Sequence, residues 1–344
     1  MSRTDLSLGV GGTLRAVVRA VSVPVTVFLI ATFGTYALGA LGGANPAATV
    51  LGQDATPSAI AQLNHQYGLD RPFLVQYFSW LGHALTGNLG TSYFTSIPVS
   101  TSLGQALPVD LSLATLALTF AVLLGGAAGI ASALRRGRPL DRIVSAVCSA
   151  LATVPPFLVG ITLIVLFAVV FRLLPSGGYV PLTQNPGQWL RFALLPALAL
   201  SAEGAAAIAR QLRTSLVGAL DENYVLGAAA RGLSARRVLF RHALRNAAGP
   251  ALTVLGVQVP AIIGGAVVAE KMFALPGVAQ LALTAGSERD VPVIQGALLV
   301  TIGVVLVSNI AVNVVLTRLT PQARRSPSAA RRRPGPARVA EAGA

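Results

Sequence analysis

Five strongly apolar stretches of this chain contain no charged side chain: residues 20–53, 111–134, 143–171, 246–269 and 291–317. A helix needs about 20 apolar residues to cross hydrocarbon, so each stretch is long enough to do so. The apolar core of the first runs over 21–41. A sixth run, 192–220, is interrupted by Glu203, Arg210 and Arg213, yet its first part is apolar enough to cross. The pattern predicts an all-α membrane protein with about six transmembrane helices and both termini on one side. Composition agrees, because 53% hydrophobic against 11% charged residues leaves too little charge for a soluble chain of 344 residues.

Charge fixes the side. Of 26 basic residues, 21 lie before the first span, between the second and third, around 210–245, and beyond 317; Arg71, Arg172, Arg191, Lys271 and Arg289 fall opposite. The positive-inside rule therefore places both termini and the 210–245 region in the cytoplasm. Most of the net charge of +14 is spent on topology. Basic residues are nowhere interleaved with aromatics as in a nucleic-acid stripe, so no nucleic-acid partner is expected. The first run exceeds a typical signal-peptide core and carries residues 51–108 outward, which identifies it as a retained anchor. These boundaries give a cytoplasmic N-terminus (1–19), a first transmembrane helix (20–41) and an external region (42–108). A permease-like core (109–320) follows, then a Pro, Ala and Arg-rich tail (321–344) expected to be disordered.

Between Asp221 and Pro250 the chain reads DENYVLGAAARGLSARRVLFRHALRNAAGP. Small residues and arginines here predict a short helix from about Asn223, a stop at Gly232, where the missing Cβ permits a left-handed turn, and a restart at Ser234. Ala228, Ala229 and Ala230 offer a thin face that another protein can approach closely. Tyr224, Val225, Ala228, Ala230, Gly232, Leu233, Ser234, Val238, Leu239 and 242–247 resemble the cytoplasmic signature loop of ABC importer permeases of the dipeptide/oligopeptide branch. The wider importer family often has glutamate where Leu226 stands, a departure common in that branch. Two further segments carry the same resemblance. Residues 51–100 contain LGQDATP, YGLDRP, QY and GNLGTS, with Thr56 placed to cap a helix starting at Pro57, Gly68 to end it, and Pro72 to start another. Tyr77 and Trp80 are available there for the bilayer interface. After the fifth span, Glu270, Phe273, Pro276, Gly277, Leu281, Arg289, Asp290, Pro292, Gln295 and Gly296 match the family pattern. Beyond Asn309 the match decays.

The resemblance implies the MetI-like ABC permease fold and a non-catalytic subunit whose loop 218–248 couples to ATPases through Tyr224, Ala228, Ala229, Ala230, Arg231, Gly232, Leu233 and Ser234. It also implies a second homologous permease, two cytoplasmic ATPase subunits, an external substrate-binding protein, surrounding lipid, and a bacterial inner-membrane location. Cargo in the branch ranges over dipeptides, oligopeptides, nickel complexes, glutathione and sugars. ATP belongs on the partner chains, since a phosphate-binding loop needs a lysine after glycine and the sole lysine, Lys271, lies between Glu270 and Met272. One cysteine and three scattered histidines assemble neither a disulfide framework nor a metal cluster. Glu203 is the acid inside a span. It lines the translocation path, makes an interhelical hydrogen bond, or pairs with Arg210 about two turns on. An ion-coupled secondary transporter is the alternative, although the matched pair of broken helices such a protein shows is missing from the sequence.

Overall fold

The computed structural model describes residues 22, 25–39, 45–52 and 54–319. The expectations for 1–19 and for the tail 321–344 lie outside these residues. Among the described residues the structure is helical, with one isolated bridge between Thr91 and Pro98. The elements are α1 (Val25–Gly39), α2 (Pro46–Leu51), α3 (Pro57–Tyr67), α4 (Phe73–Leu85), α5 (Val99–Leu134), α6 (Pro139–Thr153) and α7 (Pro156–Leu163), then α8 (Pro186–Leu220) and α9 (Asn223–Ala230). After these come α10 (Ala235–Arg237), α11 (Leu244–Met272), α12 (Val278–Glu288) and α13 (Val291–Leu319). π-helical turns extend α7 through Ile164–Val170 and join α10 to α11 through Val238–Ala243, so Ala235–Met272 is one helix of 38 residues.

Four helices are long and apolar enough to span a membrane: Val99–Leu134, Pro186–Leu220, Ala235–Met272 and Val291–Val312. The third predicted span differs from a simple crossing. Pro139–Thr153 and Pro156–Val170 meet at 112°. The cause is local: Val154 precedes a proline and is forced into extended backbone (ψ 125°), and Pro155 follows at ψ 138°. The first predicted span is a shorter apolar helix over its described part.

α8 is the central helix, with 67% of its apolar window buried against 22–28% for the other three spans. Small residues let α5 lie on it. Gly125 sits over Ala205 and Ile208, and Gly129 over Ala209 and Leu212, at spacings that leave no room for a Cβ. Leu195, Ala197, Ala199 and Leu200 of α8 meet Val109, Leu113 and Ala117 of α5, Ile262 of α11, and Phe273.

The segment before α5 follows its local signals. Thr56 Oγ1 accepts from the Ala59 N–H (3.3 Å), Pro57 opens α3, Gly68 closes it at φ +69°, and α4 begins after Pro72. Tyr77 and Trp80, however, do not face a bilayer interface. They are 3% and 9% exposed and pack with Tyr36 of α1, while the Tyr77 hydroxyl meets that of Thr32 at 3.0 Å. Long-range hydrogen bonds tie this segment to α13 and the turn before it. Asp290 accepts from the Ser92 hydroxyl and the Tyr93 N–H, and buried Gln295 donates to the Thr32 carbonyl (2.9 Å).

Candidate functional site

At one end of the bundle α8, α9 and the start of the long α10–α11 helix enclose a common apolar core of Leu212, Leu216, Val225, Ala228, Val238, Leu239, Ala243 and Ala247. α9 stops as the glycine requires. Gly232 adopts φ +78°, and the Leu233 N–H returns to the Ala228 carbonyl (3.3 Å), closing the helix with the left-handed residue one position earlier. Ser234 is extended at the N-cap of α10, but its side chain makes no capping hydrogen bond. The stop of the helix at glycine and its restart after Ser234 thus follow the sequence pattern.

Burial divides the loop residues. Val225 and Ala228 face inward, Ala228 at 1% exposure, so this alanine is small because α9 lies close on its own core. Tyr224, Leu226, Ala230, Arg231, Gly232 and Ser234 are exposed, and Leu233 is half-buried against the core. The thin face expected from three consecutive alanines is therefore not one face: the outer surface of α9 is made by Tyr224, Leu226 and Ala230, continued by Arg231.

A polar strap holds the same end of the bundle. Asp141 of α6 accepts both guanidinium nitrogens of Arg213 on α8 (2.6 and 2.7 Å), the Ser132 hydroxyl of α5 and the Gly137 N–H (2.9 Å). The bidentate geometry and full use of both carboxylate oxygens fix the α5–α6 turn to α8. Arg136 adds an exposed pair with Asp221 (3.0 Å), just after α8 ends. Residue-by-residue reading of the sequence missed this strap, because Arg213 registered only as an interruption of a span.

Glu203 is exposed on α8 and forms no ion pair with Arg210, whose guanidinium donates instead to the Cys148 carbonyl (2.9 Å). A cavity of about 410 Å³ lies between α5, α11, α12 and α13 and does not include Glu203; its acidic lining is Asp110 and Glu270. These two acids close off apolar runs in the sequence, where Asp110 reads only as the end of a span and Glu270 only as a match to the family pattern.

The arrangement has known counterparts. Residues 121–325 match the family described as binding-protein-dependent transport system inner membrane component, and residues 13–114 match its N-terminal companion. A probable peptide ABC transporter permease of Sinorhizobium fredii is 37% identical over 83% of this chain and 91% of its own length. A putative peptide transport system permease of Brucella abortus is 34% identical over 90% of this chain and 98% of its own. Among solved structures, an inward-facing methionine ABC transporter shares the fold with a TM-score of 0.52 at 17% identity, covering 63% of this chain and 96% of that one.

Proposed function

Because the chain belongs to the family of binding-protein-dependent transport system inner membrane components, and is thereby a permease subunit of an ABC importer, we propose that its cargo is a peptide and that α9 receives the stroke of partner ATPases. Relatives at 37% and 34% identity bear the name of peptide permeases, which supports the cargo. The family and the fold do not favour the ion-coupled alternative.

The coupling role rests on one observation. α9 shows an exposed strip of Leu226 and Ala230, with Tyr224 exposed near its start, while its inner face shares a core with both α8 and the 38-residue α10–α11 helix. A push on that strip reaches two spans directly. In this reading loop 218–248 and both termini are cytoplasmic, region 42–108 faces a substrate-binding protein, and a second permease completes the path. Two ATPase chains bind and hydrolyse ATP, and this chain itself is non-catalytic. Their closure moves α9, and the spans it touches alternate the path between inward and outward openings. Glu203, exposed on the central helix, is proposed to face that path.

Proteoliposomes containing this chain with a partner permease, ATPases and binding protein test the reading. Labelled peptide is expected to accumulate only with ATP, and Glu203→Gln to lower that uptake. Uptake that follows an imposed ion gradient without ATP would overturn the importer mechanism, and unchanged uptake by the Glu203 variant would remove that residue from the path.

A further inference from the structure

Asp110 of α5 and Glu270 of α11 reach the same point from two spans: the N-terminus of α12. Gly277, the N-cap of α12, has no side chain to offer, and the first N–H groups of that helix turn to carboxyls from outside it. The Val278 N–H donates to Asp110 Oδ2 (3.2 Å) and the Gln280 N–H to Glu270 Oε2 (2.7 Å). A Cβ on Gly277 would collide with Asp110 Oδ1 and Glu270 Oε2 together, so both carboxyls crowd over one glycine.

Each acid therefore uses one oxygen. The others, Asp110 Oδ1 and Glu270 Oε1, are buried and have no donor, although Glu270 is 0% exposed and a buried acceptor left unsatisfied is costly. The two carboxyls converge on one point, since a Cβ at Gly277 would stand 2.3 Å from Asp110 Oδ1 and 2.4 Å from Glu270 Oε2.

Among the described residues no ion pair joins a cation to either acid, and Arg289 caps the opposite end of α12. α5 has no other charged residue, and neither α7 with its π-helical extension nor Val291–Val312 of α13 has any. On α11 Lys271 is exposed and Arg245 lies at the opposite end; on α12 the remaining acid, Glu288, is the last residue. On α8 Arg191 donates to the Leu173 carbonyl, Arg210 to the Cys148 carbonyl and Arg213 to Asp141, and Glu203 is exposed. A metal ion fits poorly, since only two acids converge, backbone N–H donors point at them, and no group of three metal-binding side chains exists among the described residues.

We propose that Asp110 and Glu270 bind one proton between them, and that this proton latches α12 to α5 and α11. Carried on one carboxyl, it lets that group donate to the other and removes the repulsion of adjacent carboxylates, a shared-site behaviour that belongs to the pair and not to either residue. The latch sits near the end of the helix that begins beside α9, so it fixes the far end of the element through which loop movement would travel. Its existence does not depend on the cargo.

The full-length protein tests the proposal by infrared spectroscopy and by unfolding. At neutral pH the wild type is expected to show a buried protonated-carboxyl band that both Asp110→Asn and Glu270→Gln abolish. Each amide can donate to the remaining carboxylate and so keep the latch without the proton. The folded wild type holds one proton more than the unfolded chain, whose carboxyls are ionised. Stability therefore falls as pH rises, by up to about tenfold in the unfolding equilibrium per pH unit above the ordinary carboxylate range. Both variants should lose that slope. A wild type without the infrared band overturns the proposal even if a variant fails to fold, and so does an unchanged slope in either folded variant.

Discussion

Gly232→Val is expected to strip the ATPase subunits from the purified complex, lowering their recovery at least about tenfold, an effect of about 1.4 kcal/mol in binding, while the chain still inserts into the membrane. No atom stands within 4 Å of where a Cβ at Gly232 would lie, so the cost is not a collision. It is conformational. At φ +78° a β-branched residue is strained by about 1–3 kcal/mol, and the chain relieves this by re-routing the turn between α9 and α10. The inner face of α9 rests on α8 and α11, and a shifted turn displaces the outer strip of Leu226 and Ala230. Gly232→Asn provides the control. Asparagine tolerates the left-handed region better than any β-branched residue, and this variant should retain most of the ATPase. Quantitative pull-down from mild detergent reads both.

The second large effect concerns assembly of the bundle. Gly125→Leu should prevent the chain from accumulating in the membrane, because a Cβ there lies 2.5 Å from the Ala205 carbonyl oxygen and 3.0 Å from the Ile208 Cβ. The obstacle is backbone of the most buried span, which cannot rotate aside as a flexible side chain would. Overpacking in a well-packed core costs about 1–3 kcal/mol and more where backbone must move; separating α5 from α8 belongs to the upper end. Gly126, the next residue, has nothing within 4 Å of its Cβ position, so Gly126→Leu should accumulate normally. Immunoblots of membrane fractions from the two variants separate contact-specific damage from the general loss of a glycine.

What could be read in advance followed from local rules. Length and apolarity located the four long spans, Thr56, Pro57 and Gly68 framed α3, and Gly232 marked the end of α9 because a helix that ends in a left-handed turn favours glycine. The 112° break at Pro155 and Pro156 obeys a local rule too, since each proline holds the residue before it extended. The polar groups that lock the helices together were harder to see. Asp141 meets Arg213 across 72 residues, and Asp290 meets Ser92 across 198. Such pairs exist only after the helices pack, and a sequence read in windows cannot align them. Tyr77 and Trp80 illustrate the same limit: an aromatic beside a span suits the bilayer interface and a packed cap equally well until α1 supplies Tyr36. Glu270 and Gly277 stood in one motif, yet the reason for their company, a carboxyl folded over a bare helix N-terminus, needs Asp110 from another helix.

The central claim is that the exposed strip of α9 touches the ATPase. The chain has a single cysteine, Cys148, which is buried and can be replaced by serine to give a background for site-directed cross-linking. Cysteines introduced at Leu226 and Ala230, both exposed, and at Ala228, buried on the inner face of the same helix, give a direct comparison. Cross-links to the ATPase are expected from positions 226 and 230, changing in yield when ATP is bound, and none from 228. ATPase present in the purified complex but unreachable from either exposed position would contradict that claim.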